Sequence, residues 1–235
     1  MSREGLTEKQ LHYTMSFIGG FLGAYAILSR CDVFGSAQTA NLIHTVLGIA
    51  GGNFTGLAIR LGALLIYGAG IVTTVLIPRY TRWSLHWLSL FVDGAAMLLM
   101  GFMPAQMDNM AALYPVFFAT AFQWCSFQGG GGYASATIFS TNNLRQFVAS
   151  STAYLCGHEQ KMKEKAQFFG FTLLSFHAGV LAGWPAYQFM GLKSSWFGFV
   201  PLAVAIWLAA RESGLVGACG LPVLTGAQAG GKETC

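Results

Sequence analysis

Two copies of a short polar motif stand in an otherwise apolar chain, Thr39-Ala40-Asn41-Leu42 and Thr141-Asn142-Asn143-Leu144. An asparagine side chain offers two donors and an acceptor, and a threonine adds a hydroxyl. At the start of a half-helix, threonine caps exposed amides, and that end carries partial positive charge. Two such ends meeting inside a membrane would make a polar site for a small solute, lined by Thr39, Asn41, Thr141 and Asn143. The same repetition would arise if these residues were caps and inter-helix glue in a pseudo-symmetric bundle. Asp93 and His177 are further candidates, each near the middle of a long apolar run. An ionisable group at that depth is costly and marks function by default. Asp93 would take up a proton or a cation. His177 stands where the first half has Gly68, and an imidazole titrates near neutral pH. Each is also readable as a buried polar residue satisfied by a neighbouring helix. Arg60, ~9 Å into its segment, and Arg145, just after the second motif, are candidate partners for an anion or for Asp93. Arg60 reads equally as a side chain that snorkels to the interface.

The elements that position these residues are membrane helices. The chain has 235 residues, 54% hydrophobic and only 9% charged, whereas soluble domains carry about 25% charged residues. Period-2 alternation is absent, so the spans are helices and not barrel strands. Six long apolar segments run over 12–29, 54–77, 85–103, 112–128, 167–190 and 194–210. Two shorter ones, 37–51 and 133–156, each carry one motif copy. A bilayer crossing takes roughly 20 residues, so 37–51 is marginal for one; the two segments are either full spans or re-entrant half-helices, and the placement of the loop charges favours the second. Each follows a break: Cys31 to Ser36 in one half, Gly129 to Gly132 in the other. The breaks are expected to face each other near mid-depth.

The first half recurs in the second beyond the motif. Leu64 to Val72 recurs as Leu173 to Leu181, 109 residues on, while the two motifs are 102 residues apart. The expected fold is therefore an all-α integral membrane protein of about six transmembrane helices. They form two inverted three-span repeats, 11–103 and 112–211, each with a broken helix. A cytoplasmic N-terminus over 1–10 and a flexible cytoplasmic tail over 212–235 complete the chain. Charge supports this arrangement. Arg3, Lys9, Arg79, Arg82, Lys161, Lys163, Lys165 and Arg211 fall on one side, and Asp108 on the other, if the short segments do not cross. Arg30 is expected to pair with Asp32 at the outer boundary. No cleavable signal segment is evident.

Other functions lack their residues. The net charge of +4 is spread over loops with no aromatic-interleaved basic stripe, so no nucleic-acid partner is expected. Cys31, Cys125, Cys156, Cys219 and Cys235 show no C-x-x-C spacing, which argues against a disulfide framework or a metal site. There is no H-x-x-x-H and no paired carboxylates, so no enzyme and no cofactor is expected. Gly129 to Gly132 is no phosphate loop, since no Lys-Ser/Thr follows. Gly19-x-x-x-Gly23 and Gly179-x-x-x-Gly183 have the spacing for close helix packing.

Two stretches carry a family resemblance. One is Gly19-Gly20-Phe21-Leu22-Gly23-Ala24 running through Val33-Phe34 to Thr39-Ala40-Asn41-Leu42. The other is Phe122-Gln123 running through Gln128-Gly129 to Ser140-Thr141-Asn142-Asn143-Leu144-Arg145-Gln146-Phe147. On these the chain resembles the YoaK family of bacterial membrane proteins, defined by a domain of unknown function. The resemblance covers most of residues 10–210. It departs from the family's pattern at Ala24 and at Gln38 to Asn41, where an acidic residue and a Met-Thr-Gly-Asn-like run are common. The resemblance implies a multi-pass protein of the bacterial inner membrane and no particular activity. The residues favour a small-solute transporter or channel, embedded in the lipid bilayer with both termini cytoplasmic and able to form a homo-oligomer. The alternative is a non-transporting assembly partner or sensor.

Overall fold

The computed structural model describes residues 3–30, 38–52 and 54–213. The expected break at Cys31 to Ser36 and the tail beyond Ser213 lie outside the described residues, as do Asp32, Cys219 and Cys235. Eight α-helices account for most of the described chain: α1 Arg3–Ser29, α2 Gln38–Ala50, α3 Phe54–Tyr80, α4 Leu85–Met100, α5 Tyr114–Ser126, α6 Thr141–Gly157, α7 Gln160–Met190 and α8 Phe199–Glu212. Two-residue strands β1 Gly129–Gly130 and β2 Tyr133–Ala134 form a small antiparallel hairpin. All-α therefore holds for the described residues apart from this hairpin.

Three helical stretches are long and apolar enough to cross a membrane: Gly5–Ser29, Gly56–Tyr80 and Gln160–Glu212. The last, at 53 residues, would be ~80 Å as one straight helix at 1.5 Å per residue, far beyond a bilayer. Gly191, at φ 54°, turns the chain between α7 and a 3-10 segment, Gly191–Gly198, that leads into α8.

α1 is the central helix. It has no polar face, and a helix apolar all round is one that others surround. Its Met15, Ile18, Leu22 and Ala26 are fully buried. α7 lies along it in parallel, with His12 and Tyr13 against Phe168 at one end and Ala24 against Gly183 at the other. Two glycines set this seam. A Cβ at Gly20 would meet the Phe176 carbonyl oxygen, and one at Gly179 would meet the Phe17 carbonyl oxygen. α8 packs on α1 in the opposite sense, since Tyr25 donates to the Leu192 carbonyl at 2.9 Å and Gly198 lies by Phe21. α3 and α5 are parallel neighbours: Tyr114 donates to the Ile59 carbonyl at 2.8 Å, and Gly70 faces Phe118 and Ala121. α5 also packs on α4, α2 on α3, and α6 on α7.

These directions sort the loop charges. Lys9, Arg79, Arg82, Lys161, Lys163, Lys165 and Arg211 fall at the end where α1 begins. The opposite end holds Arg30, Asp108 and Lys193. Arg30 is buried there and donates to the carbonyls of Pro104, at 3.2 Å, and Ala105, at 3.5 Å.

Candidate functional site

Between α5 and α6 the chain turns at the end of the bundle where α1 begins, runs back into the bundle as an extended limb, and returns as α6. The glycine run makes the turn at the surface. Gly131 and Gly132 have φ 60° and 83°, the positive values that a two-residue hairpin turn requires. The Gly131 amide donates to the Glu8 carboxylate at 3.0 Å. The run was expected at mid-depth, and the structure places it at the start of α1. The irregular backbone at depth is instead residues 135–140. Thr137 reaches Gly19, where a Cβ would strike its carbonyl oxygen. That point is ~21 Å along the span that begins at Gly5.

Extended backbone at such depth must be satisfied by protein, and a polar network does this. Asn143 sits in the first turn of α6 and is buried. Its Nδ2 donates to the carbonyls of Ala136, at 2.7 Å, and Phe139, at 2.9 Å. The Ser135 hydroxyl donates to Asn143 Oδ1 at 2.9 Å. His12 Nε2 lies 3.1 Å from the same hydroxyl oxygen. The one Ser135 proton goes to Asn143, so His12 Nε2 carries the hydrogen of the third bond. Gln123, on α5, donates to the Met15 carbonyl at 2.8 Å and to Thr137 Oγ1 at 3.0 Å. Two acceptors in this network, His12 Nδ1 and Gln123 Oε1, are buried without a hydrogen-bond partner.

Two cavities flank the limb. One of about 500 Å³ opens at the end where α1 begins, with Glu8, His12, His86, Gln128 and Glu212 in its wall. His86 Nδ1 is 3.8 Å from Glu212, and its ring stacks on Phe127 at 4.6 Å. The other, of about 620 Å³, is mainly apolar and is bounded by Ile71, Trp124, Phe139 and Asn142. Cys125, Gln128 and Ala134 belong to both walls, so the limb and the end of α5 form the partition.

The residues singled out from the sequence divide by position. Asn143 is at the centre of the network. Thr141 is exposed, and the N-cap position of α6 is Ser140, whose side chain makes no cap. Asn41 is buried on α2, and Thr39 is exposed. Residues 31–37, which would correspond to the limb in the first half, lie outside the described residues. The two asparagines share no hydrogen bond, since both Asn143 amide protons are used within its own limb. His177 is exposed on the outer face of α7, bonded at 2.7 Å to the Leu173 carbonyl. Arg145 is exposed and donates to Asn142 at 3.1 Å. Arg60 lies on α3 next to Ile59, and among the described residues no ion pair joins it to Asp93.

Asp93 is fully buried on α4, with the Ser89 hydroxyl 3.5 Å from Oδ2 and no partner on Oδ1. It borders neither cavity described above. Replacing it with asparagine keeps the shape and removes the chance of an unpaired charge. Asp93→Asn is expected to raise stability by about 1 kcal/mol, read as a higher thermal midpoint at neutral pH. A lower midpoint would mean that the carboxyl is doing something the amide cannot.

His12, Gln123, Ser135, Glu8 and Glu212 were not legible as a site. The only local sign was a glutamine inside the apolar run of α5. Among the described residues no group of three His, Cys, Asp or Glu side chains is placed to hold a metal ion, and Cys125 and Cys156 are free.

No curated protein and no solved structure gives a significant match to this chain. A family model does, across the helices and the limb just described. Three helical stretches have the length and composition to cross a membrane, residues 11–208 match the family described as Protein of unknown function (DUF1275), and the chain belongs to that family.

Proposed function

We propose that this protein is a small-solute transporter or channel of the bacterial plasma membrane, non-enzymatic, with both termini cytoplasmic. The observation that carries the reading is the re-entrant limb 135–140, held at depth by Asn143 and Gln123 between two cavities. Non-helical backbone at membrane depth belongs where it lines a path, and broken elements of this kind recur at transport sites. His12 Nδ1 and Gln123 Oε1 are partnerless acceptors beside the Ser140 hydroxyl, which can donate or accept, and Glu8 and Glu212 add carboxylates at the mouth. The solute is thus one that donates hydrogen bonds or carries positive charge.

In this reading six spans, α1, α3, α4, α5, α7 and α8, form two inverted three-span repeats. Exchanging α1 with α5, α2 with α6, α3 with α7 and α4 with α8 supports it. The α1–α7 pair then becomes α5–α3, both parallel, and α1–α8 becomes α5–α4, both antiparallel. The detail agrees as well. Gly179 lies against the Phe17 carbonyl and the Phe21 amide, and Gly70 lies against the Phe118 carbonyl and the Phe122 amide. Basic loops gathered at the end where α1 begins make that end cytoplasmic.

The test is reconstitution in liposomes with a panel of protons, alkali cations, organic cations and neutral polyols. Protein-dependent flux of at least one donor-bearing or cationic solute is expected. A single cysteine at Ala134, in a background lacking native cysteines, should label from the cytoplasmic side with a membrane-impermeant reagent, and the transported solute should slow that labelling. Absence of flux for every class, in a protein that is folded by thermal melt, would sink the reading.

A further inference from the structure

Outside the limb, the α6–α7 pair carries an open, almost wholly apolar crevice of about 430 Å³. At its mouth Lys163 lies over the Tyr154 ring, 5.8 Å from the centroid. Inward, the walls become Phe147, Gly170, Phe171 and Leu174. Gly170 makes the indentation possible. A Cβ there would stand 3.1 Å from the Phe147 ring, so the missing side chain lets that ring lie against α7 and leaves a hollow between the helices.

Three features of the hollow fit one occupant. Leu174 is eleven residues beyond Lys163, or ~16 Å along a helix. That is about half of a ~30 Å hydrocarbon core, the depth of one leaflet. The mouth lies at the end where α7 begins, and Lys161 and Lys165 flank Lys163 there, against the acidic neighbours Glu159 and Glu164. Lys163 at the mouth of an apolar crevice matches a headgroup followed by a chain. We propose that this crevice binds an anionic diacyl phospholipid of that leaflet, its phosphate on Lys163 and one acyl chain along Gly170 and Leu174. The site is independent of what the limb transports.

Delipidated full-length protein would be titrated with phosphatidylglycerol and with phosphatidylcholine of the same chains, and bound lipid counted by native mass spectrometry. Phosphatidylglycerol is expected to bind about fivefold more tightly, the scale of one basic side chain at a membrane surface. Lys163→Gln should remove most of that preference, and Ser151→Trp, filling the hollow, should weaken both lipids. Arg79→Gln, at the same end of the bundle on α3, should leave the preference intact. Equal affinity for the two lipids would overturn the site. So would an Arg79→Gln loss as large as that of Lys163→Gln, or unchanged lipid binding in Ser151→Trp. All variants change partly or wholly exposed side chains, and a thermal melt checks that each is folded.

Discussion

Asn143→Ala is expected to remove solute flux and lower stability by about 3 kcal/mol. The figure follows from the three hydrogen bonds the side chain makes inside the limb: two donated to the Ala136 and Phe139 carbonyls, one accepted from Ser135. Alanine leaves the two part-buried carbonyls without their donor and the Ser135 hydroxyl with His12 alone. Each such group costs on the order of 1 kcal/mol in a membrane interior, where water cannot replace the partner. The limb has no ladder of its own to fall back on, so its path past Gly19 would loosen. Asn143→Asp is expected to be no better, because a carboxylate cannot donate and would face two carbonyl oxygens. Ser135→Ala removes two bonds, the one donated to Asn143 and the one accepted from His12, and should cost about 2 kcal/mol. Thr141→Ala, two residues away but exposed, should stay within about 0.5 kcal/mol of the wild type. Thermal unfolding in detergent and liposome flux read the whole series. Equal effects at Asn143 and Thr141 would mean that the motif acts by capping, not through the limb.

Gly179→Val, and equally Gly20→Val, should abolish the folded bundle. At both positions the first side-chain carbon would fall on a backbone carbonyl of the facing helix, Phe17 for Gly179 and Phe176 for Gly20. A side chain can rotate away from a new neighbour, but helical backbone cannot, so α1 and α7 would have to separate along their length. Overpacking in a core costs typically 1–3 kcal/mol when side chains absorb it, and more is expected when backbone must. α1 is also the helix on which α8 and the limb rest, so the loss spreads. The measurement is a monodisperse peak on size exclusion together with protease resistance, and both should disappear. Gly68→Ala is the matched control. It lies in the mid-region of α3 with nothing within 4 Å of its added carbon. There the gain in helix propensity of about 0.5–1 kcal/mol should show as a small stabilisation. If Gly179→Val behaved like Gly68→Ala, the parallel α1–α7 seam would be incorrectly drawn.

Hydrophobic runs announce apolar helices, and each of the six long apolar segments overlaps a helix, although α1 begins nine residues before its segment and α7 seven before. The second short segment, 133–156, was legible from its glycine run and motif as an interrupted element. Its internal division was not. An extended limb followed by a helix depends on Asn143 reaching back to Ala136 and Phe139, and on Gln123 reaching Met15, 108 residues away in the chain. Side-chain direction was equally closed to inspection. His177 and Gly179 are two residues apart on α7, yet one faces outward and the other the central helix, because tertiary packing sets the rotation of a helix whose apolar surface runs all round. His12 reads as the polar edge of an apolar run and becomes part of a site only when Ser135, 123 residues on, is laid beside it. The sequence by itself determined the apolar helices and the recurrence of a motif, since these follow from composition, length and repetition. Only the tertiary structure decided which asparagine secures a limb, which histidine meets it and which acid stays apart, because long-range packing alone determines which polar groups share a buried space.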